Sequence, residues 1–112
     1  MLGAAGLFGS VTAAHATPIS RANAVAKAHD YLDYDAFSLK GLVSQLKYEG
    51  FSTSDATYAA THSHANWMKE AVAKAKDYLG YDSFSRSGLI AQLEYEGFTP
   101  SQALHGVLAV GL

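Results

Sequence analysis

Shifting the chain by 47 residues lays AVAKAHDYLDYDAFSLKGLVSQLKYEGFSTSDA over AVAKAKDYLGYDSFSRSGLIAQLEYEGFTPSQA, with 22 of 33 positions identical between Ala24–Ala56 and Ala71–Ala103. A chain that repeats itself this closely must fold its two halves alike. The copies run over residues 19–62 and 63–112, and each carries four Lys/Arg against five Asp/Glu. A unit of about 40 residues is near the lower limit for a self-sufficient core, so every large side chain in the repeat has to be placed economically. Residues 1–16 stand apart. They are apolar, small and uncharged, too short for a membrane span of about 20 residues, and they close on Ala14-His15-Ala16. That ending suits removal of an export leader after Ala16, with Ala14 and Ala16 as the small cleavage-site residues; with no basic stretch ahead of it, the segment reads as the back half of a signal peptide or as a plain apolar leader.

Within each repeat the apolar spacing is helical, and punctuation cuts it into three pieces. The first helix of the second copy is expected from Asn66, with Trp67, Ala71, Ala75 and Tyr78 on one stripe and Gly80 as a left-handed stop. In the first copy it begins near Ser20, and Asp33 replaces that glycine. Ser38 and Ser85 cap a second helix carrying Leu42, Val43 and Leu46, or Leu89, Ile90 and Leu93, which ends at Gly50 or Gly97. Gly41 and Gly88 cost that helix about 1 kcal/mol each relative to Ala, which points to close approach by a neighbouring helix. The third helix opens with a capping-box pattern, Ser52 before Asp55 and Thr99 before Gln102, with Pro100 at the favoured first position. Phe51 and Phe98 precede those caps as hydrophobic staples. The expected fold is all-α, a tandem pair of small three-helix, helix-turn-helix-like bundles.

The charge balance excludes several chemistries. A formal net charge of −2 over 112 residues, with 49% hydrophobic side chains, fits neither a disordered polyelectrolyte nor a basic nucleic-acid binder. The third helix, which would be the recognition element of a DNA reader, has no Lys or Arg in either copy to neutralise phosphate. The absence of cysteine rules out disulfides, thiolate metal sites, a Cys nucleophile and lipidation through Cys. His62 and His64 lie two residues apart near the junction of the repeats but lack further ligands, and they read as exposed linker histidines. The repeated serines are explained by capping. Asp35 and Asp82 suit Asx-turns, and the other repeated acids suit solvated faces. Glu49 and Glu96 are the exception, because a carboxylate near a helix C-terminus is mildly unfavourable against the macrodipole. No catalytic residue, metal or cofactor is assigned.

The frame Y-x-x-F-S-x-x-G-L-x-x-Q-L-x-Y-E-G-F, present twice, resembles the tandem repeat of the Ltp family, the host cell surface-exposed lipoproteins, over nearly all of residues 20–110. The resemblance implies paired helical bundles displayed outside the cell membrane. For prophage-encoded members it implies superinfection exclusion, the blocking of an incoming phage genome by engagement of the phage tape measure protein. Family members carry a lipid on a cysteine that this sequence lacks, so no lipid anchor of that kind is expected and the chain is read as secreted or associated with the cell envelope.

The expected function is therefore that of an exported, non-enzymatic protein-interaction module, with a protein partner and no nucleic acid. The alternatives are a structural envelope repeat without a dedicated ligand and, less in keeping with the charge, a DNA-binding helix-turn-helix protein. Tyr48 and Tyr95 lie about 200° around the helix from Leu46 and Leu93, where they serve a partner or bridge to a neighbouring helix or the other repeat. In the second copy Glu94 replaces Lys47, so that Glu94 and Glu96 flank Tyr95. Tyr48, Arg86, Glu94, Tyr95 and Glu96 are the candidate interaction residues, and the acidic group suits a basic segment.

Overall fold

A computed structural model describes residues 17–112, which form six α-helices and, among the described residues, no strand. The expected leader over 1–16, with Ala14 and Ala16, lies outside the described residues. The helices are α1 (Pro18–Tyr34), α2 (Leu39–Tyr48), α3 (Thr53–Thr61), α4 (Trp67–Leu79), α5 (Arg86–Tyr95) and α6 (Pro100–Ala109). Three helices per repeat follow the all-α, tandem three-helix pattern of the sequence.

The helix boundaries follow from capping chemistry. Helix α1 begins before Ser20 because the Thr17 hydroxyl accepts the Ser20 N–H at 3.0 Å and Pro18 suits the first helical position. Ser38, Ser52, Asn66, Ser85 and Thr99 each accept the backbone N–H three residues on, at 2.8–3.1 Å. Thr99 and Gln102 complete a full capping box, since the Gln102 side chain also accepts the Thr99 N–H. Ser52 and Asp55 make only half of one, because the Asp55 carboxylate is turned elsewhere.

Gly50 and Gly97 stop α2 and α5 in the same way, both at φ 105°. Phe51 and Phe98 donate their N–H to Leu46 and Leu93, and the glycines donate to Lys47 and Glu94. These are the paired bonds of a Schellman ending, which needs the left-handed conformation that glycine adopts at no steric cost. Gly80 behaves otherwise. It is right-handed, at φ −69° and ψ −20°, and its N–H bonds to Lys76 and Asp77. The expected left-handed stop is thus replaced by a tighter final turn.

The described chain forms two compact units. The first contains residues up to Asp33 together with Leu42–His64. The second contains Tyr34–Gly41 and Ala65–Leu112. In the first unit Ala24, Ala28, Leu42, Leu46, Ala56, Ala59 and Ala60 are fully buried. In the second, Ala71, Ala75, Leu89, Leu93, Phe98, Ala103 and Val107 form the core, with Tyr78, Leu79, Phe84 and Ile90 packed against it. Each buried leucine contributes about 1.5–3 kcal/mol of transfer free energy, and the alanines bring helices close rather than filling volume.

Close approach occurs at a glycine the repeat pattern does not mark. Helix α6 crosses α4 at Gly106, where a Cβ would lie 2.8 Å from the Ala71 carbonyl oxygen. At Gly88, by contrast, an added Cβ meets only the cap oxygen of Ser85, so the helix contact expected there is absent. Gly41 does face a neighbour, with a Cβ position 3.4 Å from the Glu96 carbonyl oxygen.

The turn Tyr34–Gly41 belongs to the second unit through its own hydrogen bonds. The Phe37 N–H donates to Glu70 at 2.9 Å, and the Ser38 hydroxyl donates to the Glu96 carbonyl at 2.6 Å. Ser38 therefore caps its helix and binds backbone in the same unit, which explains its almost complete burial.

Candidate protein-interaction surface

The carboxylates that look misplaced at helix C-termini have partners. The Tyr31 hydroxyl donates to Glu49 and the Tyr78 hydroxyl donates to Glu96. Each hydroxyl in turn accepts from a glutamine on the following helix, Gln45 at 3.2 Å and Gln92 at 3.0 Å. This Gln-Tyr-Glu latch fixes the end of the second helix against the first, once in each unit. It also gives the helix-terminal carboxylate a hydrogen-bond donor that offsets the macrodipole. Burial, followed by the adjacent carboxylate, pushes the Tyr78 phenol up to about 12. Tyr31 is raised for the same reasons.

Tyr48 and Tyr95 sit one residue before these carboxylates, and each is 86% exposed. Neither ring is drawn into a core. Glu94 is exposed, so Glu94, Tyr95 and Glu96 form one short acidic, aromatic stretch at the end of α5. Arg86 is not gathered with them. It opens the same helix, about 13 Å away along the axis, and its guanidinium donates to the Leu112 carbonyl oxygen.

Beside Glu96 the second unit has a cleft of about 420 Å³ lined by Asp35, Lys74, Asp77, Tyr78, Tyr81 and Glu96. The Tyr78 and Tyr81 rings meet at 5.8 Å with a 54° tilt, and Lys74 pairs with Asp35 at 3.6 Å. Asp35 accepts the Ala36 N–H at 2.8 Å, as Asp82 accepts the Ser83 N–H. Both bonds reach only the next residue, whereas the expected Asx-turn joins the side chain to the amide two residues on, and at Asp35 that amide, the Phe37 N–H, goes to Glu70. Close by, burial chiefly and Asp35 secondarily raise the Glu70 carboxyl, against the opposing pull of the Phe37 N–H and Lys74. The sequence does not mark Tyr78 and Tyr81 as residues that would line a cleft together. Helical spacing puts Tyr78 on the core stripe, and only the recurrence of Tyr, Gln and Glu at fixed spacing in both copies points to its polar role.

The first unit has a different polar centre. Asp55 is fully buried, pairs with Arg21 Nε at 2.9 Å and accepts from the Ser20 hydroxyl at 2.9 Å. The Arg21 guanidinium lies 4.5 Å from the centre of the Tyr58 ring, which stacks on His62 at 3.9 Å. His62 and His64 are both exposed, as expected, though His62 caps the end of α3 with its ring stacked on Tyr58, and Asp55 is hidden from any surface ligand.

No helix among the described residues is long and apolar enough to cross a membrane. Comparison with curated proteins gave no match. Among solved structures, Ltp, a superinfection exclusion protein from the Streptococcus thermophilus temperate phage TP-J34, is similar at 30% identity and a TM-score of 0.76, over 87% of this chain and 99% of that one. The profile of the family described as host cell surface-exposed lipoprotein matches residues 20–62 and 66–110, one match for each copy of the duplicated frame. With both repeats matched and the fold shared along nearly the whole described chain, this protein belongs to the host cell surface-exposed lipoprotein (Ltp) family.

Proposed function

We propose that this chain is a non-enzymatic protein of the cell envelope that excludes superinfecting phage, binding a phage polypeptide needed for genome entry. The observation that carries the reading is its similarity, along 87% of its length, to a superinfection exclusion protein. The exposed Tyr48, Tyr95 and Glu94 support it, because a chain with small helical cores and no assigned catalytic group has its surface to offer. Within this reading the tape measure protein is the partner, and Tyr48, Glu94, Tyr95 and Glu96 are the contact residues. Arg86, held by Leu112, contributes less.

The test is expression of the exported chain in a phage-sensitive host, with adsorption and genome entry followed separately. Unchanged adsorption with genome retained in the particle, and escape phages altered in the tape measure gene, is the expected result. Normal plaque numbers, or a loss of adsorption instead of entry, overturns the proposal.

A further inference from the structure

Three features of the second unit's cleft restrict what can occupy it. Its charged lining is three carboxylates against one lysine, which disfavours anions. Its carboxylates do not converge on a metal ion: among the described residues no group of three His, Cys, Asp or Glu is placed to hold one. Its remaining walls are two tyrosine rings, and Tyr81 is 73% exposed. A cavity that combines spread negative charge with an accessible aromatic face suits an organic cation, whose apolar stem lies along the ring while its charged head meets the carboxylates. A volume of about 420 Å³ is near the lower end of small-ligand sites, enough for one long side chain.

We propose that this cleft receives a lysine or arginine side chain of a bound polypeptide; the proposal rests on the reading that the chain works by binding a protein. Glu96 is preorganised for that role. The Tyr78 hydroxyl holds it in place, so a cation meets a carboxylate that need not be ordered on binding. Lys74 is engaged with Asp35, which leaves Asp77 and Glu96 as the acids facing an incoming charge. The cleft also depends on the tandem sequence, because Asp35 comes from the turn of the first copy yet folds into the second unit. The lining residues that come from the second copy, Lys74, Asp77, Tyr78, Tyr81 and Glu96, have identical counterparts in the first, so Asp35 is the contribution that sets this cleft apart.

The probes are three capped tripeptides, glycine-X-glycine with X lysine, arginine or norleucine, titrated into the isotope-labelled chain and followed by amide chemical shifts. Saturable shifts at Asp77, Tyr81 and Glu96 are expected with the lysine and arginine peptides and not with norleucine. Tyr81→Ala, at an exposed ring, should weaken binding about two- to fivefold, and added salt should weaken it further. Glu96→Gln, which keeps an oxygen for Tyr78, should do likewise while the helical spectrum is retained. Equal response to norleucine, scattered shifts, or no effect of Tyr81→Ala overturns the assignment. The phage assay reads the functional proposal independently: cation binding at the cleft in a chain that fails to exclude phage supports the cleft and removes the function. Exclusion that survives loss of peptide binding overturns the cleft's part in capturing the partner.

Discussion

The two copies solve one structural position by opposite chemistry, and exchanging the solutions tests the account of the fold. Where the first has Arg21 and Asp55, the second has Met68 and Gln102. Asp55 is fully buried and its carboxylate is held by Arg21 and Ser20. Arg21→Met removes the cation and leaves a buried charge with one side-chain donor, a change that costs about 3–5 kcal/mol when the pair is fully enclosed. The Arg21 side chain is 37% exposed, so water reaches part of the vacated space and the expected loss falls to about 2–3 kcal/mol. Against a total of roughly 5–15 kcal/mol for a chain of this size, that is a large shift. Adding Asp55→Gln copies the arrangement of the second unit, in which Gln102 turns back to accept the Thr99 N–H and close a capping box. The double variant should therefore recover most of the loss, with a coupling of about 1–2 kcal/mol. Urea unfolding followed by far-ultraviolet circular dichroism on the parent, both single variants and the double variant measures it. A double variant as unstable as Arg21→Met, or an Arg21→Met variant equal to the parent, would refute the reasoning, because the buried carboxylate would then not depend on its cation.

Gly50→Ala and Gly97→Ala separate backbone strain from crowding. Both sites are at φ 105°, but a Cβ at position 50 meets nothing within 4 Å, whereas at position 97 it lies 2.6 Å from the Ser38 oxygen and 2.9 Å from the Lys40 Cβ. The first should lose about 1–2 kcal/mol, the second about 1–3 kcal/mol more; equal losses in chemical denaturation would deny the crowding. Gly106→Ala should cost about 1–3 kcal/mol by pushing α6 off the Ala71 carbonyl, and a thermal midpoint equal to the parent's would contradict that crossing. With the Tyr78 phenol at about 12 in the fold against an ordinary 10.0, the neutral form is favoured by folding. Its contribution is complete below the unfolded value and is lost as pH rises through the folded one. An ultraviolet ionisation titration should show a late component, diminished in Tyr78→Phe; an unchanged titration in that variant would refute the latch.

The helices were legible because small repeats depend on local signals. Cap residues at Ser52, Asn66, Ser85 and Thr99, Schellman glycines at 50 and 97, and buried leucines at 42, 46, 89 and 93 all act within a few residues of their own position, so sequence shows them directly. What escaped was set by partners distant along the chain. Asp55 reads as half of a capping box, yet its side chain is claimed by Arg21, 34 residues earlier. Gly106 carries no local sign of the Ala71 carbonyl above it. Glu49 and Glu96 look unfavourable only while the tyrosine 18 residues before each is assumed to be purely apolar. Gly80 departs from expectation for a different reason: a glycine permits the left-handed turn without requiring it, and here the N–H finds the carbonyls of Lys76 and Asp77 instead.

The distribution of these differences bears on how a duplicated fold gains a specific surface. Positions that both copies share, the leucines, the Schellman glycines and the Gln-Tyr-Glu latch, hold the helices together and leave little freedom to either copy. Positions that differ fall elsewhere: Asp33 against Gly80 at a helix end, Lys47 against Glu94 beside an exposed tyrosine, and Arg21 with Asp55 against Met68 with Gln102. The latch makes divergence at 47 and 94 inexpensive, because Tyr78 and Gln92 fix the end of α5 whatever charge stands at the exposed position before Tyr95. A surface charge can then change sign without loosening the carboxylate behind it, and the second unit presents Glu94 and Glu96 around Tyr95 on a helix end that is already rigid.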